Sequence, residues 1–291
     1  MRYSIKHTTT YTYHESVPLC HNLAMLTPRD TQAQHCVSFE LHVSPLPEII
    51  ETYYDFFGNK VYYFIIEAEH EILAVTTIST VEKNTMDWNL NSGDQPSWES
   101  VHDLILHSSG EFILEKQFVI PTEITAPTES ITQYALASFT PGRSMLESVR
   151  DLMTRIYTDF KYTAGFTTIS TPLSEVMQAR KGVCQDFAHL AIACVQAMGL
   201  PARYVSGYLE TIPAPGKIKL KGADASHAWF SVYIPSLGWV DFDPTNNTLP
   251  GEQHITIGWG RNYFDIIPLR GVIMSSNQHH LDISVDVTRL H

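Results

Sequence analysis

The chain has 291 residues, of which 44% are hydrophobic and 17% charged, and its formal net charge is −12. This composition is typical of a globular protein with room for two domains, and the acidic balance gives no general attraction to nucleic acid or anionic membranes. No stretch approaches the roughly 18 consecutive apolar residues of a membrane-spanning helix, and residues 1–13 hold no apolar signal segment. We therefore expect a cytoplasmic protein without a nucleic-acid or membrane partner.

The four cysteines, Cys20, Cys36, Cys184 and Cys194, are few for this length and show neither CxxC nor CxxH spacing. This usage favours free thiols in a reducing compartment over disulfides or a zinc site. The sequence therefore predicts no metal and no cofactor.

The N-terminal part of the chain has the pattern of β-strands. Residues 3–13 alternate along one strand face, and two β-rich runs flank Gly58-Asn59, which is a strong hairpin signal. The polar residues 83–97 are expected to form a loop. The spacing of the strands predicts an all-β, sandwich-like domain over residues 1–125.

The pattern changes near Pro121, where a Pro- and Thr-rich segment is typical of a linker. Apolar residues then recur with a helical period over 146–160, and a capping-box pattern precedes them. A second, short helix is predicted to begin near Pro172 and to end just before Gly182.

A third helix is predicted over residues 184–199. The segments after it read as strands, namely 202–210, 227–235, 239–245 and 281–290. Helices followed by a run of strands indicate an α+β domain rather than a parallel βαβ sheet.

Two cysteines of the third helix have different surroundings. Cys194 falls on the predicted buried stripe with Phe187 and Leu190, so it is interpreted as a small packing residue. Cys184 lies in the first turn, where unpaired N–H groups and the helix dipole favour a thiolate and an oxyanion. From this stretch alone, a nucleophile and a buried structural thiol both remain open.

A cysteine nucleophile needs a base, and the base needs an orienting group. His227 begins one apolar strand and Asp243 lies near the end of the next. If the two strands form an antiparallel hairpin, the carboxylate can accept from one imidazole nitrogen while the other faces the sulfur. Taken singly, His227 is one of 14 histidines and fits a structural role, and Asp243 could simply mark a strand end.

Three segments together carry a family resemblance: GVCQDFAHLAIACVQAMGLPARYVSGYL, then HAW, then GWVDFDPTNN. Their order and spacing resemble the core of the transglutaminase-like superfamily, over roughly residues 140–265. The N-terminal stretches HTTTYTY, TPRDTQAQ and DFFGN, with GWGRNYFDIIPLRG downstream, resemble a bacterial branch that carries its own N-terminal β domain.

The resemblance implies a papain-like α+β catalytic domain over 126–291, in which an antiparallel sheet packs on the nucleophile helix. It implies a triad of Cys184 as nucleophile, His227 as general base and acid, and Asp243 as orienting group. The strand pattern alone leaves Asp241 as a rival, and the family's spacing after the preceding tryptophan selects Asp243.

Two further residues near the nucleophile carry predictions. Gln178 lies six residues before Cys184, an offset at which papain-like enzymes place a glutamine as oxyanion donor; the alternative is an exposed surface glutamine. Asp186 lies in the first helical turn, where a carboxylate suits the dipole, and is interpreted as structural.

The implied activity is a cysteine protease, that is, hydrolysis of a protein or peptide amide through a thioester acyl-enzyme. The same triad would serve acyl transfer to an amine, so spacing does not choose between a hydrolase and a transglutaminase-type acyltransferase. A non-catalytic binding module on the same fold is the third alternative. The N-terminal domain is expected to shape substrate access or bind a partner.

Overall fold

The computed structural model describes residues 1–84, 95–211, 224–235, 237–274 and 278–290. Most of the loop predicted over 83–97 lies outside these residues. The strands are β1 (Arg2–Val17), β2 (Cys20–Ala24), β3 (Gln34–Ser44), β4 (Ile49–Tyr54), β5 (Lys60–Ile66), β6 (His70–Lys83), β7 (Lys161–Tyr162), β8 (Lys181–Gly182), β9 (Ala202–Leu209), β10 (Ala225–Ile234), β11 (Gly238–Phe242), β12 (His254–Gly260), β13 (Leu269–Ile273) and β14 (His279–Leu290). The helices are α1 (Trp98–His107), α2 (Ile113–Lys116), α3 (Glu129–Leu136), α4 (Met145–Asp159), α5 (Leu173–Ala179) and α6 (Cys184–Ala197). In the described part of the chain, no helix combines the length and apolar character needed to cross a membrane.

The N-terminal strands form two antiparallel sheets, ordered β14-β1-β6-β3 and β13-β2-β5-β4. The alternation predicted for β1 is confirmed, with Tyr3, Ile5 and His7 buried on one face. The predicted hairpin is confirmed as β4 pairing with β5, and Gly58 adopts the positive φ of 75° that its turn requires. The predicted α+β class with an N-terminal sheet region is thus confirmed.

The expectation of strands throughout residues 1–125 is wrong for α1 and α2. The hydroxyl of Ser97 caps α1 by accepting from the Ser100 N–H, and Val101 and Ile105 lie one turn apart on its buried face. These apolar residues join the core that surrounds α6 rather than a sheet core.

The chain also returns to the N-terminal sheets after its helices. β13 pairs with β2, and β14 pairs with β1 over the register from Arg2–Leu290 to Tyr13–His279. The division of the chain into 1–125 and 126–291 remains a prediction, and these pairings cross it.

A third antiparallel sheet, ordered β11-β10-β9-β12, packs on α6. Every α6 residue from Asp186 to Gln196 is buried, so the helix is enclosed on all sides instead of along a single stripe. The reason is its central position, since β9 and β10 cover one side while α3, α4 and α5 cover the others. Burial contributes roughly 1.5–3 kcal/mol for each large apolar side chain, and it holds the N-terminus of α6 in a fixed place.

Candidate active site

Cys184 begins α6 with a free, half-buried thiol. The turn before it is held by Asp186, whose Oδ2 accepts from the Val183 N–H at 2.7 Å and from the Thr167 hydroxyl at 2.6 Å. Burial raises the pKa of the Asp186 carboxyl, and these two hydrogen bonds act against it. Asp186 therefore fixes the loop that presents the thiol.

The role predicted for Gly182, ending the preceding helix, is wrong. α5 ends at Ala179, and Arg180 takes the left-handed conformation with φ of 52°. Gly182 lies instead in β8, where a Cβ would stand 2.8 Å from Oδ2 and 2.9 Å from Cβ of Asp186. The glycine is needed because the capping carboxylate approaches the backbone closely.

His227 and Asp243 meet at one end of the β10–β11 hairpin. The antiparallel register pairs Phe230 with Phe242, so His227, near the beginning of β10, lies beside Asp243, directly after β11. His227 Nε2 donates to Asp243 Oδ2 at 2.7 Å, with exposed fractions of 8% and 0% for the two residues. Cys184 lies close enough to the imidazole to influence the pKa of His227, and both residues line the same cavity.

The electrostatics of this pair favour an imidazolium beside a carboxylate. Burial alone lowers the pKa of His227, but the hydrogen bonds with Asp243 and Cys184 outweigh it and raise the pKa to about 10. Burial alone raises the pKa of Asp243, yet the hydrogen bonds from His227, His254 and Asn246 hold it below its usual range. A protonated His227 is the form that can give a proton to a leaving group.

The sequence reasoning missed two supports of Asp243. His254 Nε2 donates to Oδ2 at 3.0 Å and Asn246 Nδ2 at 2.7 Å, while Oδ1 accepts from the backbone N–H groups of Thr245 and Asn246. The Asp-Pro-Thr-Asn turn carried a signal for Asn246, because aspartate commonly caps such turns through its side chain. His254 carried none, since β12 pairs with β9 rather than with its neighbour in sequence.

The two rival assignments now have definite positions. Asp241 accepts from Trp229 Nε1 at 3.1 Å, whereas the carboxylate that accepts from His227 is that of Asp243. Gln178, predicted as an oxyanion donor, is exposed on α5 and is not among the residues that line the cavity around Cys184. The structure therefore does not bring Gln178 to the site, because its helix ends before β8 turns the chain toward α6.

The ligand atoms of His227, Asp243 and His254 lie within 4.8 Å of one another, and in the described ranges no other group of three His, Cys, Asp or Glu side chains does so. Both imidazoles already donate to the carboxylate. A metal ion bound here would replace those hydrogen bonds and separate His227 from Cys184. The expected absence of a metal remains a prediction.

A cavity of about 770 Å³ opens onto Cys184 and His227. One wall comes from the sheet that packs on α6, and the other from the N-terminal sheets through Tyr11 and Tyr13 on β1 and Ile283 on β14. No aspartate or glutamate lines it in the described chain, and Arg270 is the only lysine or arginine. The whole chain has a net charge of −12, so a largely apolar cleft without a lining carboxylate among the described residues differs from the rest of the protein.

Tyr204 is a further polar group in this cavity, and sequence reasoning also missed it. Its ring lies 4.9 Å from that of His189 and it is almost fully buried. Burial, together with the nearby Cys184, raises the pKa of the Tyr204 phenol well above its usual value. Its hydroxyl therefore stays protonated and able to donate a hydrogen bond.

Two family models match the chain. Residues 3–82 match the bacterial transglutaminase-like N-terminal region, and residues 133–244 match the transglutaminase-like superfamily. The second match contains Cys184, His227 and Asp243.

Several known proteins are similar over most or part of the chain. An uncharacterised protein of Mycobacterium tuberculosis is 42% identical over 294 residues, which cover 98% of this chain and 92% of that protein. A crystal structure from Cytophaga hutchinsonii, of a protein provisionally described as a cysteine protease, covers 100% of this chain and 92% of its own with a TM-score of 0.72 and 22% identity. A protein-glutamine gamma-glutamyltransferase of Pseudomonas aeruginosa is 35% identical over 77 residues, or 26% of this chain and 11% of that protein.

Proposed function

Since the chain belongs to the transglutaminase-like superfamily, we propose that it is a cysteine-nucleophile amide hydrolase, a protease or peptidase that works through a thioester acyl-enzyme. The observation that carries the proposal is the His227–Asp243 hydrogen bond on a cavity that His227 shares with Cys184, the first residue of a helix. A buried structural thiol would need neither the imidazole nor the cleft.

In the proposed reaction, the Cys184 sulfur attacks the amide carbon and His227 holds the thiol proton. The C–N bond then breaks, the leaving amine takes that proton from His227, and the acyl group remains on sulfur as a thioester. Water next attacks the thioester, His227 accepts its proton, and the carboxylic acid leaves as the thiol re-forms. Asp243 keeps the imidazole oriented through both steps.

The oxyanion formed in each step needs hydrogen-bond donors. The first backbone N–H groups of α6 have no partner within the helix and lie beside the sulfur. The protonated Tyr204 hydroxyl lines the same cavity and is the side-chain donor that this proposal puts in place of Gln178.

The size and chemistry of the cleft support a polypeptide substrate. A volume of about 770 Å³ accommodates several residues, and walls of tyrosine and aliphatic side chains suit neutral or apolar side chains around the cleaved bond. The absence of lining carboxylates among the described residues gives no site for a strongly basic substrate side chain.

Acyl transfer to an amine is the second candidate function. It is favoured by the partial similarity to the Pseudomonas aeruginosa gamma-glutamyltransferase, whose name states that activity. Both reactions share the thioester and differ only in the acceptor, so the acceptor has to be measured.

The test incubates the purified full chain with peptide, isopeptide and glutaminyl amides, each with and without a labelled primary amine. We expect release of the carboxylic acid product, with a Cys184 thioester trapped and located by intact and peptide mass spectrometry. Cys184→Ala removes turnover, whereas Cys36→Ala, which changes another half-buried thiol outside the cavity, retains it.

The outcomes separate the alternatives. Incorporation of the labelled amine with only minor hydrolysis would replace the hydrolase by an acyltransferase. No turnover of any amide, together with alkylation of Cys184 that is no faster than that of Cys36 and insensitive to His227→Ala, would leave a non-catalytic binding module.

A further inference from the structure

A second cavity, of about 570 Å³, lies against the sheet β11-β10-β9-β12 and shares no lining residue with the catalytic cavity. Its walls come from that sheet, from the loop before β3 and from the end of β6. Neither the proposed hydrolysis nor acyl transfer makes use of it.

Arg203 on β9 is the unusual residue of this cavity. It is 7% exposed, and its guanidinium lies against two indole rings, 4.2 Å from the centroid of Trp239 and 3.8 Å from that of Trp259. Its Nε has no hydrogen-bond partner, and no carboxylate in the described part of the chain lies within ion-pair distance of it. Burial lowers the pKa of Arg203 to about 9, against the opposing charge of Asp241.

Lys83, at the end of β6, is a second buried cation on the same cavity. It is 8% exposed, and its ammonium donates to the backbone oxygen of His254 at 2.7 Å. Burial lowers the pKa of Lys83 to about 8, although Asp241 and Glu252 act in the opposite direction. Two nearly buried cations therefore share a cavity, and neither forms an ion pair with another described residue.

An unpaired buried charge is costly, and none of the described carboxylates forms an ion pair with Arg203, although Asp241 acts on its charge from a greater distance. Both indole rings lie within cation–π distance of the guanidinium, so a ligand would bind through its N–H groups. A planar carboxylate accepts two parallel hydrogen bonds from such an edge. Contact with two indole rings restricts the orientation of the guanidinium before a ligand binds.

The same cavity also carries two carboxylates, Asp241 and Glu252. Their negative charges repel a simple anion. They favour a ligand that carries an ammonium group beside its carboxylate. We propose that this cavity binds the zwitterionic end of a free amino acid or short peptide, with the carboxylate on Arg203 and Lys83 and the amino group toward Asp241 and Glu252.

The cavity is connected to the proposed catalytic groups through one residue. His254 lines the cavity, its backbone oxygen receives the Lys83 ammonium, and its Nε2 donates to Asp243. A bound amino acid would therefore act on the positioning of Asp243 without entering the catalytic cleft.

The test measures binding alone, in the full chain with Cys184→Ala, so that it stands whether or not the proposed activity does. Glycine, leucine, phenylalanine, acetate, phenylacetate, phenethylamine and inorganic phosphate are titrated separately while tryptophan fluorescence and the heat of binding are recorded. We expect saturable binding of the amino acids, at least about tenfold tighter than that of the matching acid or amine.

Variants locate the site. Arg203→Met and Lys83→Met are expected to weaken amino-acid binding about tenfold or more, and Arg203→Lys to weaken it less. Arg270→Met, which removes the cation of the other cavity, leaves it unchanged. If Arg203→Met fails to fold, Lys83→Met and Glu252→Gln carry the same comparison.

Three results would overturn the proposal. The first is the absence of a fluorescence or heat change with every amino acid up to millimolar concentration. The second is equal binding of acetate, phosphate and glycine, which would show that the cavity does not select a zwitterionic ligand. The third is amino-acid binding that is lost in Arg270→Met and kept in Lys83→Met, which would show that the ligand binds in the catalytic cavity.

Discussion

Asp243 and Arg203 are both buried charges on the same sheet, and their surroundings are opposite. Asp243 accepts five hydrogen bonds, from two imidazoles, one amide and two backbone N–H groups. Arg203 contacts two tryptophan rings and has an unpartnered Nε. The charge of Asp243 is compensated by hydrogen-bond donors of the protein. Arg203 lacks such partners, which fits our proposal that a bound ligand supplies them. Burial alone therefore does not distinguish a charged residue with a structural role from one that binds a ligand. The number of hydrogen-bond partners that the protein supplies does distinguish them.

The largest effect is expected for Asp243→Asn. The amide keeps the shape but loses the charge that several donors surround, so we expect about 3–5 kcal/mol lower free energy of unfolding. Loss of imidazole orientation should reduce amide turnover by about 10⁴-fold if the triad acts as proposed. Urea unfolding and turnover assays measure the two effects. If Asp243→Asn were as stable as the wild type, the charge of Asp243 would not contribute more to stability than that of Arg203.

The pH dependence of stability follows from the same pair. The pKa of His227 is raised in the folded state from 6.5 to about 10, so its contribution is complete below about pH 6.5 and is lost as the pH rises toward 10. The pKa of Asp243 is lowered from 3.8, so its contribution is complete above that pH and is lost as the pH falls below it. The difference in unfolding free energy between wild type and Asp243→Asn should therefore be greatest between about pH 4 and 6.5. A difference that stays constant from pH 4 to about 10 would mean that the pair is not coupled.

A smaller effect is expected for His254→Ala, which removes one of the donors on Asp243. We expect about 1–2 kcal/mol lower stability and about tenfold lower kcat with little change in KM, because the residue positions Asp243 and does not touch substrate. His254→Gln, which can still donate, should recover part of both losses. Equal losses in the two variants would show that packing of the ring, rather than its hydrogen bond, matters.

The smallest effect is expected for Arg203→Met. Removing an unpaired buried charge relieves its desolvation while it loses two contacts with indole rings, so the unfolding free energy should stay within about 1 kcal/mol of wild type. Denaturant unfolding without added ligand measures this. A loss above about 3 kcal/mol would put Arg203 in the same class as Asp243 and would remove the contrast.

The sequence predicted the fold class because the relevant signals are local, and the family resemblance selected Cys184, His227 and Asp243 from the alternatives that the pattern left open. Alternation along β1, the hairpin at Gly58 and the first-turn position of Cys184 all depend on neighbours a few residues away. His227 and Asp243 come together through one hairpin, which the pattern also contains.

The remaining features depend on contacts far apart in the chain. His254 reaches Asp243 only because β12 pairs with β9, and Arg203 meets Trp259 across the same pairing. Gln178 was placed by an offset in sequence, which cannot report the direction in which α5 points. The catalytic roles of Cys184, His227 and Asp243 stay predictions until turnover is measured.

The position of β14 has a consequence for the order in which the protein becomes complete. Cys184, His227 and Asp243 all precede β14 in the chain, yet Leu281 and Ile283 of β14 form part of the cavity wall beside them. Because a ribosome makes the chain from its N-terminus, the proposed nucleophile and its partners emerge before the cleft that would hold a substrate is finished. The part of the cavity wall that β14 supplies is therefore added last, when β14 pairs with β1.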